Sequence, residues 1–136
     1  MINEIIKIDR DNYRNTEQTT GMKRREAFSQ DDVWCGLVEM APGEVSAWHH
    51  HGINDSYLHL VSGKANFEFG VAGTERVEAF EGDFVFIPAG TIHRETNPGD
   101  SVSCAVLFRT GGGIPVINLE GPYIEKSENF ENFLIS

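Results

Sequence analysis

Histidine is the residue of this chain best suited to chemistry, and it is unevenly placed. His49, His50, His51 and His59 lie close together, and the fifth, His93, stands in a second punctuated stretch, EGDFVFIPAGTIHRETN, from Glu81 to Asn97. A β-strand has a side-chain period of two, so His49 and His51 project to one face and His50 to the other. Two imidazoles on one face, joined by His93 from a distant turn, form the geometry a divalent transition metal needs. Neutral imidazole is a good ligand for Fe, Mn, Ni and Zn. Three such ligands can cap one face of an octahedron or three corners of a tetrahedron, leaving positions for water and substrate. A lone histidine reads as an ordinary core or surface residue; three at these offsets read as metal ligands. His50 and Trp48, on the opposite face, read as packing.

The spacing goes further. The first stretch runs Gly43, five residues, His49, one residue, His51, four residues, Ser56, six residues, Gly63. The second runs Gly82, five residues, Pro88, one residue, Gly90, two residues, His93, three residues, Asn97. Together they resemble the two motifs of the cupin superfamily, and the resemblance covers roughly residues 33 to 118. It implies an all-β fold, an antiparallel double-stranded β-helix or jelly-roll-like barrel, with His49, His51 and His93 holding a metal inside. It implies no single reaction, because such a fold hosts many.

One motif position departs from the pattern. Cupins usually place a glutamate ligand where this chain has Ser56, with Asp55 one residue earlier. Two registers follow. In one, Ser56, Leu58 and Leu60 face the cavity and water completes the coordination. In the other, Asp55 is the fourth ligand and Tyr57 and His59 turn inward, since a one-residue slip turns every side chain over. Burial favours the first, because a buried His59 needs a hydrogen-bond partner. Without a carboxylate the metal site is more cationic, a stronger Lewis acid suited to an anionic, chelating substrate. Three-histidine cupins occur among thiol, diketone and gentisate-type dioxygenases, so the resemblance implies a metal-dependent, dioxygenase-like enzyme. A cupin isomerase or lyase, or a non-catalytic small-ligand or metal-binding module, is the alternative.

The elements that must position these residues are short. Met22–Phe28, Val33–Met40, Val45–His51, Ser56–Val61, Lys64–Phe69, Glu75–Phe80, Phe84–Ile87, Val102–Phe108 and Ile114–Leu119 read as strands punctuated by Gly and Pro turns, a barrel or sandwich pattern. On the Val45–His51 strand the alternation puts Val45, Ala47, His49 and His51 inside and Ser46, Trp48 and His50 outside. Ile2 to Ile8 could form an edge strand, the polar residues 10 to 20 read as a loop, and the tail from 122 to 136 carries Phe130, Phe133 and Leu134. The chain reads as a single domain, 1–136, with an N-terminal arm (1–20), a barrel core (about 33–118) and the tail (122–136). The apolar arm and tail suggest a homodimer.

Composition narrows the partners. A net charge of −10 argues against nucleic acid, whose binding rests on clustered Lys and Arg. The one basic run, Lys23-Arg24-Arg25, reads as a solvated strand face. Arg94 and Arg109 could hold a carboxylate bidentately but read first as surface ion pairs. No apolar run approaches the ~18 residues of a membrane span, and the first residues lack the pattern of a signal peptide. A cytoplasmic protein is expected, with Cys35 and Cys104 as free, buried, hydrophobe-like thiols. Phe67, Phe69, Phe84, Phe86 and Phe108 are candidates for the apolar lining, of which only some can face inward.

Overall fold

The computed structural model describes residues 3–16 and 19–125. Eleven strands form two antiparallel sheets: β1 (Arg14–Thr16), β2 (Lys23–Gln30), β3 (Val33–Met40), β4 (Trp48–His50), β5 (Asp55–Ser62), β6 (Lys64–Phe69), β7 (Glu75–Phe80), β8 (Phe84–Ile87), β9 (His93–Thr96), β10 (Ser103–Thr110) and β11 (Ile117–Leu119). One sheet runs β1-β2-β3-β10-β5-β8 and the other β11-β4-β9-β6-β7. Among the described residues the only helical turn is a 3-10 turn at Val71–Gly73. The short β-branched and aromatic runs thus form an all-β, double-sheet barrel, as expected.

Side-chain alternation fills the space between the sheets. β3 sends Trp34, Val38 and Met40 inward, β5 sends Leu58 and Leu60, β6 Ala65 and Phe67, and β10 Ala105 and Leu107. In β5, Ser56 is buried with the two leucines while Tyr57 and Val61 are exposed, the Ser56 register. Gly63 reverses the chain between β5 and β6 at φ +80°, where a Cβ would lie 2.8 Å from Ser103 Cα; only glycine fits that turn without strain.

Three local expectations are corrected. Residues 3–9 form no strand, and Ile5 is fully exposed. The edge strand is instead β1, inside the polar segment read as a loop. An edge strand needs a backbone partner more than an apolar face. β1 has β2, with Arg14 Nε 3.2 Å from Glu26 Oε2 and the Thr16 hydroxyl donating to the Arg24 carbonyl. Secondly, alternation fails before β4: Val45 is exposed and Ser46 buried. Residues 46 and 47 leave the ladder there, and Ala47 N donates to Thr20 O. Thirdly, Phe84, Phe86 and Phe108 lie on the outer surface, and of the five candidate phenylalanines Phe67 alone is fully buried. Phe130, Phe133 and Leu134 lie outside the described residues.

Asn97, the last residue of the second motif, is completely buried and shows why the position is polar. Its Nδ2 donates to the carbonyls of Met40 (3.0 Å) and Ser101 (2.8 Å), and its Oδ1 accepts from Gly99 N (2.9 Å). It staples β3 to the turn that precedes β10. Asn97→Ala strands these groups and is expected to lower stability by about 2–4 kcal/mol, read as a lower urea midpoint of the metal-free protein.

Candidate metal centre

The centre is built on the second sheet. β4 and β9 are neighbours, and His49 is paired in register with His93. His51 lies just past the end of β4, on the same face as His49. The strand period and one cross-strand pair therefore bring the three imidazoles together, all buried, with ligand atoms within 4.8 Å of one another. Ring centroids are 4.3 Å apart for His49 and His93, 5.1 Å for His49 and His51, and 5.3 Å for His51 and His93.

Each ring has its Nδ1 against a main-chain carbonyl. His49 Nδ1 is 2.8 Å from Ala47 O, His93 Nδ1 is 2.8 Å from Thr91 O, and His51 Nδ1 is 3.0 Å from Pro115 O. A carbonyl oxygen can only accept, so each Nδ1 carries the proton and donates it. In the neutral ring each Nε2 then presents a bare lone pair. Nε2 of His49 and of His93 is buried without a hydrogen-bond partner. Such an atom is costly unless something electropositive meets it. The donors therefore suit a transition-metal dication.

Burial pushes the His49 imidazole below its ordinary range, His93 and Arg24 adding to that against the opposing pull of Glu95. His51 is pushed down to about 2, chiefly by burial and then by Arg109. Both rings are thus held neutral.

Reading the sequence missed three charged groups in this interior. Glu95, on β9, is 5 % exposed and its Oε2 lies 3.5 Å from His49 Nε2 and 3.7 Å from His93 Nε2. The signal was available: counting in twos from His93 puts Glu95 and Asn97 on the same inward face. Arg24 and Arg109, read as surface groups, are each 1 % exposed. Arg24 Nη1 donates to the Thr19 hydroxyl at 2.9 Å, and Nη2 lies 3.6 Å from Met22 Sδ. The Arg109 guanidinium lies 4.7 Å over the Trp34 ring, and its Nη1 donates to Pro115 O, the carbonyl that also receives His51. Burial lowers Arg24 to about 10 and Arg109 to about 9, so both stay cationic at neutral pH.

The remaining candidates lie elsewhere. Asp55 Oδ1 accepts from Ala89 N at 2.8 Å and pins the Pro88 turn, so Asp55 stands outside the imidazole cluster. Ser56 is fully buried, its Oγ without a partner, and is paired across the sheet with Arg109. His59 is half-buried with its ring 4.3 Å from that of Phe84. His50 Nδ1 accepts from Gly52 N. Arg94 makes the surface ion pair, 2.9 Å from Glu68, and covers Trp48. A pocket of about 100 Å³, lined by apolar residues including Phe67, Val85 and Ile87, borders His93.

A family model for the cupin domain (Cupin_2) matches residues 36–108. Among curated proteins, tetracenomycin polyketide synthase protein TcmJ of Streptomyces glaucescens is 27% identical over 97 residues, 71% of this chain. The chain spans 62% of the length of that relative. A Klebsiella pneumoniae protein with a double-stranded β-helix domain superposes with a TM-score of 0.70 at 20% identity, covering 86% of this chain and 99% of that one. A variant of Bacillus subtilis oxalate decarboxylase gives 0.66 at 22%, covering 78% and 30%. A sugar phosphate isomerase from Silicibacter pomeroyi gives 0.65 at 18%, covering 79% and 76%. At such identities the structural likenesses speak for the fold.

The neutral imidazoles have a consequence for the metal-free protein. Below about pH 6.5 the unfolded chain protonates His49 and His51 while the folded chain resists, so unfolding takes up protons. Stability is full above that pH and falls below it, by about 1.4 kcal/mol per pH unit for each ring that stays neutral. Urea midpoints of EDTA-treated protein at pH 7.5, 6 and 5 are expected to drop steadily; a flat profile would contradict the neutral cluster.

Proposed function

The chain belongs to the cupin family, and from that premise we propose that it is a metal-dependent enzyme acting on a small anionic or chelating organic substrate. His49, His51 and His93 hold a divalent transition metal, with Fe, Mn, Ni and Zn as the candidates. The observation that carries this reading is the convergence of three imidazoles whose protons are all committed to carbonyls on their far sides. A redox-active ion held there would supply Lewis acidity and access to oxygen chemistry, which makes dioxygenation the leading reaction.

The substrate class is supported by the interior charges. Arg24 is a buried guanidinium with Glu95 as a nearby anion, Arg109 has both Glu95 and Glu26 near it, and a dication would add further positive charge. Buried charge of one sign is expensive unless it is balanced. An anionic ligand balances it, and the arginines would orient its carboxylate or enolate oxygens. The pocket beside His93 offers apolar walls for the rest of a small molecule. The curated relative is named as a polyketide synthase protein, and polyketide chains are built from β-dicarbonyl units, which chelate metals as enolates. Diketones therefore belong among the trial substrates, beside thiols and catechol-like acids.

The same reading takes the protein as a cytoplasmic homodimer that binds neither nucleic acid nor membrane. Among the described residues no helix is long and apolar enough to cross a membrane. Dimerisation is supported by the outer surface of the six-stranded sheet. Tyr57 and Val61 on β5, Phe84 and Phe86 on β8 and Phe108 on β10 are all exposed, Phe84 at 81 %. Apolar residues grouped in this way mark an interaction site. Light scattering at micromolar concentration is expected to give twice the chain mass, and Phe84→Lys with Phe86→Lys to give the monomer.

Protein purified without an affinity tag or added metal is expected to contain about one transition-metal ion per chain by elemental analysis. His49→Ala, His51→Ala and His93→Ala should each lose most of it, and His50→Ala should keep it. Oxygen uptake with Fe(II) and one of the trial substrates would establish the dioxygenase reading. Turnover without oxygen would point to isomerase or lyase chemistry, and tight binding without turnover to a non-catalytic ligand-binding cupin.

A further inference from the structure

The carboxylate position of the first motif holds Ser56, and Asp55 is committed to Ala89 N, yet a carboxylate does face the imidazoles. We propose that Glu95 supplies the protein's carboxylate ligand to the metal; the inference rests on the three-histidine reading above. Glu95 reaches the cluster because it follows His93 by two residues on β9 and shares its face. Its main chain is fixed from both sides: Glu95 N donates to the Ser46 hydroxyl at 2.9 Å, and Ser46 N donates to Glu95 O at 2.8 Å. This explains why Ser46 turns inward where the alternation would send it out.

The distances separate a shared ion from a hydrogen bond. Glu95 Oε2 stands 3.5 Å and 3.7 Å from the Nε2 atoms of His49 and His93, beyond the ~3.2 Å limit of an ordinary N–H···O bond. Two donors each about 2.1 Å from one ion are roughly 3.0–3.4 Å apart at octahedral or tetrahedral angles. The observed gaps exceed that spacing by a few tenths of an ångström. Chemistry agrees with geometry. A carboxylate can also serve a metal site from behind, by accepting the ligand histidine's other N–H. That role is closed here, because each Nδ1 already donates to Ala47, Pro115 or Thr91. Glu95 lies on the Nε2 side, where the lone pairs point. Imidazole lone pairs facing a carboxylate oxygen, with no proton between them, repel unless a cation sits among them.

Cobalt(II) titrated into metal-free protein tests this, because its visible absorption reports the donor set as well as the affinity. Glu95→Gln is expected to weaken Co(II) by at least about tenfold and to shift the absorption bands as an anionic oxygen donor is lost. Glu95→Asp, with the carboxylate drawn back by one methylene, should fall between Gln and wild type. Asp55→Asn and Ser56→Ala should match wild type in both readouts. A folded Glu95→Gln with wild-type affinity and bands overturns the proposal, and if that variant does not fold, Glu95→Asp with unchanged affinity and bands overturns it. His49→Ala and His93→Ala losing Co(II) while Glu95→Gln keeps it sinks Glu95 alone. Equal binding by all the histidine variants removes the three-histidine reading and this inference with it.

Discussion

A backbone carbonyl accepts hydrogen bonds and never donates them, and the arrangement of this interior depends on that asymmetry. Ala47, Thr91 and Pro115 each take the Nδ1 proton of one imidazole, which fixes the tautomer and turns every Nε2 toward the same small volume. The carbonyls of Ala47 and Thr91 lie two residues before the rings they hold, so local chain geometry sets those two. The third comes from the segment leading into β11, far away in sequence. That segment is held in turn by Arg109 and by Asn54, whose Nδ2 donates to the carbonyl of Gly112. The His51 orientation is thus a property of the closed fold, while those of His49 and His93 are already present in their own turns.

The contrast explains what could be read from the sequence. Period-two alternation placed His49 and His51 together, and the turn at Pro88 and Gly90 accounts for His93, because both are local rules. The all-β architecture followed from strand runs broken by Gly and Pro. The rule failed at Ser46, where the chain leaves the ladder to clamp Glu95, a contact that joins residues distant in sequence. It was not applied at Glu95, two residues beyond His93 on the same strand face. Arg24 and Arg109 were misjudged for a different reason. Charge predicts exposure only when water is the sole solvent available, and here Thr19, Met22, Trp34 and Pro115 solvate the guanidiniums instead. β1 was missed because an edge strand needs hydrogen-bonding neighbours rather than apolar residues.

The two faces of the six-stranded sheet divide the labour unusually. On β10 the inward set is Ser103, Ala105, Leu107 and Arg109, mostly small or polar, while Val102 and Phe108 are exposed. On β8 both phenylalanines point outward. Apart from Trp34 on β3, the inner side of this sheet carries few large aromatics, and small residues leave space between the sheets: an apolar cavity of about 20 Å³ lies between Val38, Leu60, Ala65 and Glu95, room for about one water molecule. That side offers little room for a ligand of several atoms, whereas the larger pocket next to Ile87 and Pro88 borders His93.

Electrostatics ties the polar end together. Arg24 and Arg109 depress the protonation of His51, and Glu95 partly offsets both cations. The arginines alone would disfavour a dication nearby; Glu95, beside the His49 and His93 rings, counters that repulsion. Arg24 has a buried Nε with no hydrogen-bond partner, and its Nη1 and Nη2 meet a hydroxyl and a thioether, weak substitutes for an oxyanion. A ligand bearing one carboxylate or enolate would be attracted by metal and guanidiniums alike. Because this constellation exists only in the folded chain, such a ligand would also stabilise the fold by mass action. Affinity for metal, affinity for anion and stability are then three readings of one buried charge balance, with Glu95 as its negative member.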